Sequence, residues 1–348
     1  MLRLVERQGQ RLMHWKVPAL LISAFAALGI TILVAHHAPG GSVSRDGYRR
    51  PAEIPHPADN PYSAEKTELG RKLFFDPILS GSGSHSCSTC HNPALAWGDG
   101  VARAVGQGQT RLALRSPTLL DIAWIPRLGW DGKFRDLESV AFGPITARSN
   151  MNLSEETLLA RLSASPAYIN AFAAGFGTIG ITRRNVELAL ATFQRSIVSR
   201  RAPFDRWVEG DDTAISAAAK RGFDLFNGKA HCSGCHNGFS FTDGSFHDIG
   251  TAKDTDIGRG RFFPNSVKLR YAFKTPTLRD VTLRAPYMHD GSIATLEEVI
   301  DLYDRGGIER PSRSVLIRPL GLTDAERTDL IAFLGTLTAA PKTALLPR

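Results

Sequence analysis

The apolar pattern along the chain predicts helices and little else. Val186, Leu190, Phe193 and Ile197 recur at helical spacing behind a Thr182 cap. Thr323 and Glu326 have the spacing of a capping box ahead of Leu330, Ile331, Leu334 and Leu337. A third apolar face, Leu296, Val299, Ile300 and Tyr303, follows the i, i+3, i+4, i+7 rule. Strand signals are sparse. The first apolar run differs in kind: Val17 to Ala35 carries no charge and follows Arg3, Arg7, Arg11 and Lys16. At 1.5 Å per residue it spans about 28 Å, close to the ~30 Å hydrocarbon core of a bilayer. Basic residues ahead of such a span hold the N-terminus in the cytoplasm and send the rest across. Ala35-His36-His37-Ala38 is a poor cleavage site. The run is also longer than a usual signal segment, so it reads as an uncleaved anchor, with a removed signal peptide as the alternative. Both readings export the body of the protein.

The chain repeats itself. Gly70-Arg71-Lys72-Leu73-Phe74 has a counterpart in Gly222-Phe223-Asp224-Leu225-Phe226. In each, the glycine permits close helix approach and the Leu-Phe pair supplies core. Pro117-Thr118-Leu119, Trp130-Asp131-Gly132 and Leu137-Glu138 return as Pro276-Thr277-Leu278, His289-Asp290-Gly291 and Leu296-Glu297, all at an offset of 159. Trp130 and His289 are therefore equivalent positions, as are Pro144 and Tyr303. The predicted organisation is mainly α: residues 1–50 as basic flank, span (17–35) and linker, then two small, loop-rich helical halves at 51–205 and 206–348. A bridging helical segment is expected around 154–200. Residues 38–62, rich in Pro, Gly and Ser, suit a tether.

Length agrees with two halves, since 348 residues make about two domains of ordinary size. An apolar share of 43% excludes a disordered chain. The net charge of +8 invites a nucleic-acid reading, but residues 1–50 carry seven basic residues against Glu6 and Asp46. Most of the excess flanks the membrane span, which argues against a nucleic-acid partner.

The cysteines change the picture most. All four lie in two C-x-x-C pairs, each followed at once by histidine: Cys87, Cys90, His91 and Cys232, Cys235, His236. C-x-x-C-H is the attachment motif of a c-type haem, in which two thiols join the macrocycle and the histidine sits under the iron. A four-cysteine zinc site wants its pairs 15–20 residues apart. Two disulfides, or a thioredoxin-like pair, leave both histidines unexplained. Two covalent haems are the reading that uses every cysteine. The ligand opposite each histidine decides between electron transfer and chemistry at an open iron. Met151 and Met288 are the available methionines of the exported part, and Tyr303 merely completes an apolar stripe by periodicity.

Several ordered motifs then resemble one family. These are Leu73-Phe74-Phe75-Asp76-Pro77, Leu79-Ser80-Gly81, the first C-x-x-C-H with Asn92-Pro93, Trp130-Asp131-Gly132, and Ala285-Pro286-Tyr287-Met288-His289-Asp290-Gly291. Over about 64–340 the chain is similar to the bacterial di-haem cytochrome c peroxidases. The resemblance implies two cytochrome c-type domains in tandem and a periplasmic oxidoreductase. Hydrogen peroxide reacts at the His91 haem, Trp130 lies between the haems, and the His236 haem exchanges electrons with a protein partner. That partner is a small cytochrome c, a cupredoxin or another periplasmic protein. His289 joins the cofactor-binding set. Fourteen residues beyond it the family's peroxidases place a methionine ligand; here the position holds Tyr303, as in the MauG branch, with Met288 as runner-up.

The removable histidine of the first haem is replaced by Gln107, which leaves that iron open. A distal glutamate is replaced by Asn150, near Pro144, and a distal glutamine by Val140. Asparagine can orient peroxide but cannot accept its proton. An electron-transfer cytochrome without peroxidase turnover is accordingly the alternative. Arg115 and Arg284 stand where the family's calcium residues would be, which makes calcium doubtful. The surface tryptophan that MauG places two residues before its second motif is Ala230 here.

Overall fold

The computed structural model describes residues 44–340. Among them the helices run in the order α1 (Ala64–Phe75), α2 (Cys87–Cys90), α3 (Leu137–Val140), α4 (Phe142–Thr146), α5 (Glu155–Ser163) and α6 (Pro166–Phe176). They continue with α7 (Arg183–Arg195), α8 (Pro203–Val208), α9 (Ala217–Asn227), α10 (Leu296–Arg305) and α11 (Asp324–Gly335). Side-chain caps start most of the longer ones: Ser63, Ser154, Thr182, Ser216, Thr295 and Thr323 each accept a backbone N–H from the first turn. At Thr323 the expected capping box is complete, because Glu326 accepts the Thr323 N–H in return. The only paired strands described are β1 (Phe246–His247) and β2 (Phe273–Lys274), antiparallel with Phe246 opposite Lys274.

Two glycines set the helix pairs. A Cβ on Gly70 of α1 would lie 2.0 Å from the Ala189 carbonyl oxygen of α7. A Cβ on Gly222 of α9 would lie 2.0 Å from the Asp329 carbonyl oxygen of α11. Neither crossing tolerates a side chain, and the two are built alike. This corrects the expected bridging role of 154–200. Its helix α7 is the packing partner of α1, as α11 is of α9, and Val186, Leu190, Phe193 and Ile197 all lie in the first core.

The repeat is equally visible in the loops. Leu128 bridges to Phe134 and Tyr287 to Ile293, at the same offset of 159. Asp121 and Asp280 both take left-handed backbone, at φ +57° and +52°, just before short 3-10 turns. The halves diverge at the next helix. α10 is one continuous helix bearing Tyr303, whereas its counterpart is broken at Ala141 into α3 and α4. Pro144 of α4 has no N–H for the helical ladder.

One hydrophobic core runs from Leu69 to Ile197. The second runs from Phe204 to Leu337 and also takes in Tyr48, which stacks on Phe241 and meets Phe204 and Phe223 edge-on. The tether expected over 38–62 is thus partly structural, since residues 44–50 pack on the second half. Arg50 and Arg279 both converge on Asp205 at 2.9 Å. Asp205 is 2% exposed, and Arg279 is fully buried. The expected membrane span at 17–35 lies outside the described residues. Among those described, no helix is long and apolar enough to cross a membrane.

Candidate functional site

Each C-x-x-C-H motif presents its histidine in the same way. His91 Nδ1 lies 3.2 Å from the Trp97 carbonyl oxygen, and His236 Nδ1 lies 2.9 Å from that of Phe241. A carbonyl can only accept, so Nδ1 carries the proton in both rings and Nε2 keeps its lone pair for a metal. Burial lowers the pKa of both imidazoles, which keeps them neutral as ligation requires. The four cysteines form no disulfide with one another. Two thiols and one neutral imidazole per motif fit a covalently attached haem.

An open cavity adjoins the second motif. Cys232, Cys235 and His236 line it, and so does the whole α10 face of Leu296, Val299, Ile300 and Tyr303. The stripe read from periodicity is therefore a cavity wall, which places the Tyr303 phenol among the lining groups. Met288 lines the same cavity, so both ligand candidates remain in reach of it. His289 is 3% exposed, stacks on Phe273 at 3.6 Å, and gives its Nε2 to Asp256 at 2.7 Å. That ring is a wall and a brace.

Trp130 also faces this cavity. Its indole N–H donates to the Arg115 carbonyl at 2.9 Å, and its own carbonyl accepts the Lys274 N–H at 2.7 Å. The Arg115 N–H in turn donates to the His289 carbonyl. The ring is thus held within its own half, while the Trp130 carbonyl and the Arg115 N–H tie this segment to the second half.

The remaining candidates gather in the first half, off that cavity. The Gln107 N–H donates to the Asn150 carbonyl at 2.7 Å, and the Met151 N–H to that of Pro144. Gln107 is more than a solvated loop residue, because its Oε1 is buried without a partner. Met151 and Cys87 both pack on the first core, which brings this cluster and the first motif to one hydrophobic body. Val140 packs among Ile122, Leu128 and Leu137. Ala230 is buried in the second core and offers no surface group.

Sequence reasoning missed two contributors. His247, on β1, is raised to about 9 chiefly by its hydrogen bond to Asp243, 2.7 Å away. Lys274, on β2, is buried in the cavity wall. Both are placed by a two-residue strand pair that leaves no periodic signal. Arg115 and Arg284 meet across the seam, where Arg115 Nη2 donates to the Arg284 carbonyl. Two guanidiniums offer only donors, so calcium does not fit the groups at this place.

Comparison with known proteins agrees with this geometry. The family described as di-haem cytochrome c peroxidase matches residues 64–213, and the cytochrome c family matches 219–338. The methylamine utilization protein MauG of Methylorubrum extorquens is 52% identical over 86% of each chain. The cytochrome c551 peroxidase of Nitrosomonas europaea is 33% identical, over 83% of this chain and 85% of its own. A crystal structure of a MauG-like protein associated with microbial copper homeostasis superposes with a TM-score of 0.78 at 32% identity. It covers 83% of this chain and 95% of the other.

Proposed function

The chain belongs to the di-haem cytochrome c peroxidase family, and from that premise we propose that it reduces hydrogen peroxide at the first motif with electrons delivered through the second. It is a peroxidase-type oxidoreductase with two covalently attached c-type haems. When bound, the first haem supplies an iron with an open face for peroxide, and the second supplies an electron-exchanging iron.

One asymmetry supports the division of labour. At equivalent positions of the repeat, the second half carries Tyr303 facing the cavity and the first half carries Pro144, which has no ligating atom. Tyr303 would then help His236 hold the second iron and favour its oxidised state, whereas Pro144 offers the first iron no such donor. Asn150 and Gln107 orient peroxide by hydrogen bonding. Trp130 stands between the halves as the electron relay, its indole fixed by the Arg115 carbonyl. The domain division follows the two cores: it falls just before α8 rather than at the expected 205, because Phe204, Trp207 and Val208 pack in the second core. Residues 17–35 carry the body into the periplasm and anchor it there. Its partner is a small electron-transfer protein or another oxidisable periplasmic protein.

Stoichiometric hydrogen peroxide added to the ferric protein is expected to abolish a high-spin absorption signature. A spectrum that is low-spin throughout and indifferent to peroxide favours the second reading, an electron-transfer cytochrome without turnover, which Asn150 and Val140 support. Tyr303→Phe removes an anionic oxygen donor that favours ferric iron, so the second haem's midpoint potential should rise and its spectrum change. An unchanged potential and spectrum transfers the ligand role to Met288.

A further inference from the structure

Apart from Arg318, which lies exposed beside His231, three cations gather in the cavity wall with no carboxylate to meet them. Arg115 and Lys274 are each 8% exposed. Both line the cavity together with Arg284, and His236 and Tyr303 line it too. None forms an ion pair within 4.0 Å among the described residues. Asp99, Asp121, Asp243 and Asp280 contribute to the local field, yet most are engaged elsewhere. Asp121 accepts from Ser199, Asp243 from His247, and Asp280 from the Ala339 N–H.

The guanidiniums are nonetheless fixed in place. Arg115 Nη2 donates to the Arg284 carbonyl, and Arg284 Nη2 donates to that of Thr277, each at 2.5 Å. The Nε of both is buried without a hydrogen-bond partner. Buried donors of this kind are normally matched, because an unmet charge away from water is strongly disfavoured. Burial accordingly drives Lys274 down to about 8 and Arg284 to about 10, with the neighbouring arginine as the next cause for each. The rest of the wall is largely apolar, with Leu120, Ile122, Val299 and Ile300 among its residues. An apolar cavity bearing one cationic cluster is complementary to a flat apolar ligand with acidic arms. Guanidinium groups pair with carboxylates better than with any other side-chain anion.

We infer that Arg115, Lys274 and Arg284 form a carboxylate cradle at the seam, which holds the acidic side arms of the haem attached at Cys232 and Cys235. This deepens the di-haem reading and rests on it. The cradle sets the potential of that haem, because positive charge against its carboxylates favours the ferrous state.

Spectroelectrochemical titration of the intact two-haem protein tests the assignment without using peroxide. Arg284→Gln should lower the ferrous-to-ferric ratio of the second haem about tenfold at fixed applied potential, equivalent to about 59 mV. Arg284→Lys should stay within about threefold of the parent. Lys274→Met provides the same test if Arg284 variants do not fold, and both haems should remain attached by haemochrome assay. A shift below twofold in Arg284→Gln and Lys274→Met overturns the cradle. So does a parent potential that moves with added phosphate or chloride, since the cations then face free anions. A protein with these shifts but inert to peroxide retains the cradle and loses only the peroxidase reading.

Discussion

Asn150→Glu is expected to raise kcat/KM for peroxide by about 10²-fold, the lower end of what a positioned general base contributes. Peroxide must shed a proton from one oxygen and gain one on the other before the O–O bond can part. A carboxamide can hold either oxygen by hydrogen bonding, but at neutral pH it cannot carry the proton between them. Asn150 is half-buried, and its carbonyl is tied to the Gln107 N–H. The backbone placement therefore survives substitution of the side chain. A carboxylate in such partly desolvated surroundings has its pKa moved upward, toward the working pH. Stopped-flow measurement under excess peroxide reads the effect, with Asn150→Gln as the control expected to stay near the parent rate. Equal rates for the glutamate and glutamine variants remove Asn150 from the proton pathway.

The largest stability effect is expected at Asp205. Its carboxylate accepts from Arg50, from Arg279 and from the Ala202 N–H, all while 2% exposed. Asp205→Ala leaves two guanidiniums at the junction without their counter-ion. Breaking one side of a buried pair costs about 3–5 kcal/mol. Burial pushes the Asp205 carboxyl up, but Arg279 and Arg50 outweigh it and hold the group below the ordinary carboxylate range. A depressed pKa contributes stability above the unfolded value of about 3.9, and that contribution is lost as pH falls through the lower folded value. Chemical denaturation of the parent should thus weaken below about pH 4, and the alanine variant should lose much of that acid dependence. A loss under 1 kcal/mol in the alanine variant contradicts the role assigned to this junction.

The haem sites were the most legible part of the sequence, because their chemistry is local. Covalent attachment confines two cysteines and a histidine to five consecutive residues, so the motif survives any packing around it. Helix starts were legible for the same reason, since the caps at Thr182 and Thr323 act within one turn. The 159-residue offset pairs Pro144 with Tyr303 from the sequence alone. Longer-range placement was not legible. Lys274 and His247 reach the site through a strand pair too short to leave an alternating pattern. Nothing local distinguishes α7 as a partner of α1, because the crossing depends on Gly70 meeting a backbone atom more than a hundred residues away. Composition also misread residues 44–50. Their Pro- and Gly-rich surroundings suggest a tether, yet Tyr48 and Arg50 find partners beyond residue 200.

That last contact changes how the chain should be counted. Because residues before the first core belong to the second, the first half is topologically a guest, inserted between two pieces of its host. The host's opening segment leaves the ribosome first, yet its partner Phe241 follows almost two hundred residues later. The guest can close around its own core while the host still waits for α11. A nick between the halves, near residues 198–202, should therefore leave a protein that stays together under native conditions. A cut between Arg50 and Asn60 instead frees the guest's leading end while its trailing end stays joined to the host.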